Sequence, residues 1–206
     1  MIPTNNISYY GDETRWFVGE VVNVSDDQLK IGRVRVRIHG IHDDENIKDD
    51  DLPWAQIVVP VTQGVNGPVG QYLGMLVGTQ VFGVFLDGKS AQMPLVVGSI
   101  PRVGDINQRV YKNGTYPHNK VYETEQGHFK EYDDTPGDAR IREQHKSGTY
   151  YEMQEDGNLK IVVTKDCEIT VAENCTLTVK GTADISAEKG VNIRSAAGVS
   201  LNSSKF

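Results

Sequence analysis

The sequence predicts an all-β chain in two parts, a small barrel followed by a winding of short strands. Three observations predict it. The front of the chain holds five short runs rich in β-branched and aromatic residues, bounded by Gly, Pro, Asn and Asp turn chemistry. Residues 158–206 repeat every eight residues, with apolar side chains at alternate places. No long window carries the 3.6-residue apolar period of an amphipathic helix.

The 206 residues make room for one or two domains. Composition is lean, with 38% hydrophobic and 8% aromatic residues and 21 glycines, and it is unevenly spread. All eight prolines lie at or before Pro136, both tryptophans at or before Trp54, and Phe206 is the only aromatic after Tyr151. The net charge of -7 divides into -5 over residues 1–101, -3 over 102–157 and +1 over 158–206. That balance argues against binding nucleic acid through phosphate neutralisation. No stretch approaches the ~18 apolar residues of a membrane span. The first fifteen residues lack the basic flank and apolar stretch of a secretory signal. Two cysteines exclude a disulfide framework. The expected organisation is a barrel over 1–101, a connector over 102–157 and the octad region over 158–206.

In the front, residues 16–22 (WFVGEVV) form an aromatic and β-branched run. Residues 31–38 (IGRVRVRI) alternate basic and apolar from Arg33, as a strand with one wet face does. Further strands are expected over 55–61, 80–86 and 94–98, separated by Asn66-Gly67-Pro68, Asp87-Gly88 and Pro101. Five short strands at this spacing suggest a small Greek-key barrel of the OB kind.

Written in eights from Asn158, the tail reads NLKIVVTK, DCEITVAE, NCTLTVKG, TADISAEK, GVNIRSAA, GVSLNSSK. The fourth place is Ile161, Ile169, Leu177, Ile185, Ile193 and Leu201. The second is Leu159, Cys167, Cys175, Ala183, Val191 and Val199, and the sixth is Val163, Val171, Val179, Ala187, Ser195 and Ser203. The places between are mostly charged or hydroxylic. Period 2 inside period 8 describes short strands with one buried face, each ending at a turn.

A single-chain β-helix repeats at about the ~20-residue scale of a whole coil. Here each octad is equivalent and buries only three small side chains, so one chain cannot enclose its own apolar edge. Identical chains wound about one axis supply the missing walls, and three make a triangular prism. The second-, fourth- and sixth-place residues, omitting the two serines, form its expected interior. A twisted meander within one chain is the competing arrangement, but it does not require such regular spacing.

Sites of chemistry are few. His39 and His42 end a strand-like run at a spacing that points them to opposite faces, and no third ligand follows at a zinc spacing. Asp43-Asp44-Glu45 and Asp49-Asp50-Asp51 read as a solvated acidic loop, without the alternating ligands of a calcium site. Cys167 and Cys175 occupy equivalent inward places and read as free thiols. Gly64, Gly67, Gly70 and Gly74 lack the following helix and Lys of a phosphate loop. No Ser/His/Asp order or nucleophile elbow is present. Arg33, Arg35 and Arg37 line one strand face and raise the competing possibility of an OB nucleic-acid module with an oligomerising stalk. No aromatic stacking pattern interleaves with them. No catalytic residue, metal or cofactor is expected.

The front resembles the N-terminal OB domain of the central spike proteins of contractile phage tails over residues 16–42, 51–61 and 78–101. The connector HFKEYDDTPGDARIREQHKSGTYYEMQEDGN (128–158) is similar to the segment entering the spike β-helix in those proteins and in the VgrG spikes of type VI secretion. With the octads, the resemblance covers nearly the whole chain. It implies a homotrimer located in the virion tail baseplate and assembled in the host cytoplasm. The OB domains would seat on a baseplate hub protein, and the rod would pierce the host envelope when the sheath contracts. Some members carry a lysozyme domain between OB domain and helix. Residues 102–127 are too few for one, whatever Glu123 and Glu125 suggest, so no enzyme is expected. Shorter spikes end in a His-x-His metal tip. No histidine follows His145 here, which leaves a tip capped by another protein or simply blunt. A secretion-system spike of the same architecture is the alternative within the resemblance.

Overall fold

The computed structural model describes residues 15–42, 46–67, 74–111 and 116–200. The chain is all-β, with ten strands and a few single-turn 3-10 segments among the described residues. The first five strands are β1 (Trp16–Asn23), β2 (Val34–Ile38), β3 (Trp54–Ile57), β4 (Gln80–Phe85) and β5 (Pro94–Ser99). They close into a barrel in the order β1-β2-β3-β5-β4, with only β3 and β5 parallel. All five are the strands expected from sequence.

Alternation decides which side chains fill the barrel. Phe17 and Val21 from β1, Val34, Val36 and Ile38 from β2, Ala55, Val81, Phe85 and Val96 form one buried cluster. The Phe17 and Phe85 rings meet at 5.0 Å. Gly83 makes room for them. A Cβ there would lie 2.3 Å from Phe17 Cζ and 2.5 Å from the Leu95 carbonyl oxygen, so the aromatic pair requires a residue without a side chain.

Two strands are shorter than the sequence suggests. Strand β2 starts at Val34 rather than at residue 31, because Lys30 (φ 53°) and Gly32 (φ 78°) turn left-handed just before it. Strand β3 stops at Ile57 rather than reaching residue 61. Pro60 offers no N–H to a ladder, and a 3-10 turn over Val61–Gln63 takes over.

Beyond the barrel the connector is itself a sheet, which sequence reading missed. Strands β6 (Asn119–Glu123), β7 (Phe129–Asp133), β8 (Arg140–Gln144), β9 (Tyr150–Gln154) and β10 (Leu159–Val162) pair antiparallel with their neighbours in chain order. Three of its turns are alike. Gly127, Gly148 and Gly157 all have positive φ, and their N–H groups donate to the carbonyls of Thr124, His145 and Gln154. Such turns are three-residue hairpin loops with glycine at the left-handed place.

One face of this sheet inverts the usual polarity. Glu131, Asp133 and Glu152 are buried there with Phe129 and Asn119. Arg140 bridges Glu131 (3.2 Å) and Asp133 (3.1 Å), and Arg142 holds Glu152 at 3.0 Å. The Arg109 guanidinium lies 3.8 Å from the Phe129 ring centre. Residues 163–206 form a second unit. Its described residues, 163–200, contain no regular helix or strand, and all of them are exposed.

Candidate assembly interface

The residues expected to be interior are bare in the single chain. Ile169, Leu177 and Ile185, three successive fourth-place residues, are 83%, 81% and 78% exposed. Leu159, Ile161, Val163, Val171, Val179, Val191, Ile193 and Val199 are exposed as well. So are Ala183 and Ala187. Cys167 and Cys175 are free and exposed. Leu201 lies outside the described residues. Each large aliphatic side chain left in water forgoes ~1.5–3 kcal/mol, so the exposed stripe is the candidate interface of this chain. Among the described residues only its first members belong to a strand: Leu159 and Ile161 stand on β10, opposite Met153 and Tyr151 of β9.

The basic face of the barrel is already occupied. The Asp27 carboxylate accepts from Arg33 Nε (3.0 Å) and an Arg33 terminal nitrogen (2.7 Å). Arg35 donates to the Asp49 carbonyl (3.1 Å), with its guanidinium 4.6 Å from the Trp54 ring centre. Arg37 donates to the Ile47 carbonyl (2.9 Å) and to Asp49 Oδ1 (2.5 Å). The acidic segment over Asp49–Asp51 is therefore not merely solvated. It folds as a 3-10 turn and covers two of the three arginines. Residues 43–45, the first half of the acidic run, lie outside the described residues.

His39 and His42 sit in the turn after β2 rather than within a strand, so strand alternation does not separate them. His42 Nδ1 accepts from the Ile38 N–H (3.1 Å). Burial pulls its pKa below the ordinary imidazole value. Among the described residues no group of three or more His, Cys, Asp or Glu is placed to hold a metal ion. Glu123 is tied to Asn107 Nδ2 (2.7 Å) and Arg109 Nε (2.9 Å). Among the described residues no helix follows Gly64, Gly67 or Gly74, and Gly70 lies outside the described residues.

Comparison with known proteins turns this geometry into a kinship. The family model of the Gp5 N-terminal OB domain matches residues 37–146, more than half of the chain, from the last two residues of β2 to the turn after β8. The chain is 23% identical over 252 aligned positions to Protein Gp5 of Vibrio phage KVP40, covering 77% of this chain and 60% of that protein. It is 41% identical over 80 residues to the pre-baseplate central spike protein Gp5 of Enterobacteria phage T4, covering 35% of this chain and 14% of that protein. The chain thus spans less than two thirds of either relative. A closed five-stranded barrel, an all-β body behind it and a match running across both lead to one conclusion: the chain belongs to the Gp5 N-terminal OB domain family.

Proposed function

We propose that this protein is a structural central spike of a contractile phage-tail baseplate, working as a homotrimer and without enzymatic activity. The observation that carries the reading is the bare apolar stripe of the octads in a chain of this family. Among the described residues nothing covers it, whereas three chains wound about an axis would bury it on one another. The interior of that rod consists of the sixteen second-, fourth- and sixth-place residues from Leu159 to Leu201 named above. The chain divides into a barrel over 1–101, a connector over 102–157 and the spike over 158–206. The barrels attach the spike to the tail hub, and the tip is either capped by a further protein or blunt.

The mechanism is mechanical. Each layer of a wound trimer is cross-linked by hydrogen bonds between chains, so bending it breaks many bonds at once. Intertwined chains separate only by unwinding, and the rod resists through slow unfolding more than through large equilibrium stability. Such a rod passes the force of sheath contraction to the host envelope. The pairing of Arg33, Arg35 and Arg37 with carboxylates and carbonyls weighs against the nucleic-acid alternative.

The test is solution mass by light scattering, combined with gel mobility in SDS without boiling. A trimer that survives SDS and dissociates on heating is expected. A monomer, or a trimer that falls apart at once in SDS, overturns the proposal.

A further inference from the structure

Cys167 and Cys175 are the two cysteines of the chain, and they stand eight residues apart at the second place of successive octads. Both are free and exposed in the single chain. Leu159, Ala183, Val191 and Val199 fill the same column, so packing there does not call for sulfur. Two thiols in consecutive octads are a pair, and the question is what each of them meets.

Winding decides it. Three identical chains about one axis set the same octad of each chain on a different wall of the prism, all at one level. Each chain then moves to the adjoining wall with its next octad, one strand spacing further along the axis. The ladder neighbour of an octad is therefore the following octad of another chain, place against place. Within one chain the two cysteines fall on different walls, a wall's length apart, or roughly 20 Å for six extended residues at ~3.3 Å each. Across the chain boundary Cys167 lies beside Cys175 of the next chain, at the ~4.8 Å spacing of paired strands. A disulfide takes Cα atoms about 4.4–6.8 Å apart, and only the pairing between chains meets that distance.

We propose that Cys167 and Cys175 form an oxidisable lock between chains, in which each Cys167 joins Cys175 of the next chain. The lock rests on the trimeric reading above and adds a covalent site to it. Three such bridges close a ring through all three chains. The chemistry is thiol–disulfide exchange with a low-molecular-weight disulfide, which reaches the thiols before winding because both are exposed in the single chain. One cysteine thiolate attacks that disulfide and releases a small thiol. The neighbouring cysteine thiolate then attacks the mixed disulfide and releases the second small thiol. Two protein thiols are oxidised and one small disulfide is reduced. Parallel neighbours hold their Cβ atoms at about the strand spacing, wider than the ~3.8 Å of a relaxed disulfide. The bridge is therefore strained and easily reduced. Chains wound in a reducing compartment keep their thiols, and chains wound under oxidising conditions are locked.

The test makes the full-length chain twice by cell-free synthesis, once with oxidised glutathione and once with dithiothreitol, and measures its mass by light scattering. After boiling in SDS without reductant, the oxidised sample is expected to run as three linked chains and the reduced sample as one. Dithiothreitol added to the boiled oxidised sample should return it to the single-chain position. Cys167→Ser and Cys175→Ser should each leave only the single-chain band under oxidation, because neither keeps both halves of the bridge. Single-chain bands from an oxidised parent of trimer mass overturn the lock and leave the trimer standing, whereas a monomer mass removes both. Linked dimers from either serine variant also overturn it, since a cysteine would then be meeting its own copy. The parent sample decides by itself where a serine variant fails to assemble.

Discussion

Asp27 and Arg33 clamp the loop that delivers the chain into β2. Asp27 Oδ1 accepts from the Arg33 guanidinium at 3.0 and 2.7 Å, and Oδ2 accepts from the Ile31 and Arg33 N–H groups at 3.0 and 3.1 Å. The Arg33 guanidinium is the chief reason that the carboxyl pKa falls from 3.8 to about 2. Burial opposes the shift, and the backbone N–H groups of Ile31, Arg33 and Leu29 add to it. The folded state therefore holds its proton less tightly than the unfolded chain does. The clamp's contribution to stability is complete above the usual carboxylate value and is lost as pH falls towards 2. Asp27→Asn should remove this contribution at neutral pH, and the stability difference from the parent should shrink between pH 4 and 2. Tryptophan fluorescence during urea unfolding reads it. A difference constant over that range would contradict the assignment.

Gly83 predicts a second effect, in the barrel core. Gly83→Ala drives a methyl into the Phe17 ring and the Leu95 carbonyl, and overpacking of this kind costs ~1–3 kcal/mol. Gly98→Ala on the neighbouring β5 meets nothing within 4 Å and should leave the unfolding midpoint almost unchanged. Denaturant titration of both variants tests the pair. Equal effects would show that backbone freedom, rather than space, decides at Gly83.

Arg140 is the keystone of the inverted sheet face. The Asp133 side chain is fully buried and that of Glu131 nearly so, and both are held by this one guanidinium. Removing one partner of a buried ion pair costs ~3–5 kcal/mol, because the remaining charge has lost its compensation. Arg140→Ala should therefore unfold the connector sheet at much lower urea than Arg102→Ala, whose partners Glu20 and Asp105 lie in water. Circular dichroism of the two variants separates the cases.

The octad phase makes a fourth prediction. Leu177→Asp and Ile185→Asp each put a charge in the proposed rod interior and should abolish trimer formation, whereas Thr178→Asp, one place out of phase, should not. Light scattering on the three variants decides, and uniform behaviour would mean that the phase is wrong.

The free thiols report on the same interior. In the assembled protein Cys167 and Cys175 should resist a thiol reagent, and boiling in SDS should release both. Immediate reaction of the native trimer would place the second octad column outside.

The barrel was legible because its strands obey the ordinary rule. Val34, Val36 and Ile38 point in while Arg35 and Arg37 point out, and the sequence alternates accordingly. The octads announce themselves by period alone. The connector sheet stayed hidden because its pattern is reversed. In Phe129–Asp133 the buried residues include Glu131 and Asp133, and exposed Tyr132 carries part of the apolar surface. A reader who sends hydrophobic residues inward misassigns such a strand. Only the arginines of the adjacent strand β8, which the hairpin register sets beside these carboxylates, explain why carboxylates can be buried there. The clamp on Arg33 was illegible for a similar reason. An Asp six residues upstream gives no periodic signal, and the left-handed turn at Lys30 is visible only once the chain is folded.

The three glycine hairpins of the connector also set a timetable. Every pairing in β6–β10 joins strands adjacent in the chain, so the sheet forms from local contacts, each hairpin on a scale of ~1–10 μs. On the proposed trimeric reading the octads have no such private route to order, since their partners would be on other molecules and would arrive by diffusion. A newly made chain would then finish its sheet long before it met a second copy. It presents a prepared edge, ending at β10, from which the remaining residues can be laid down in sequence. Concentration governs when that begins, and the hairpins ensure that each chain is ready when it does.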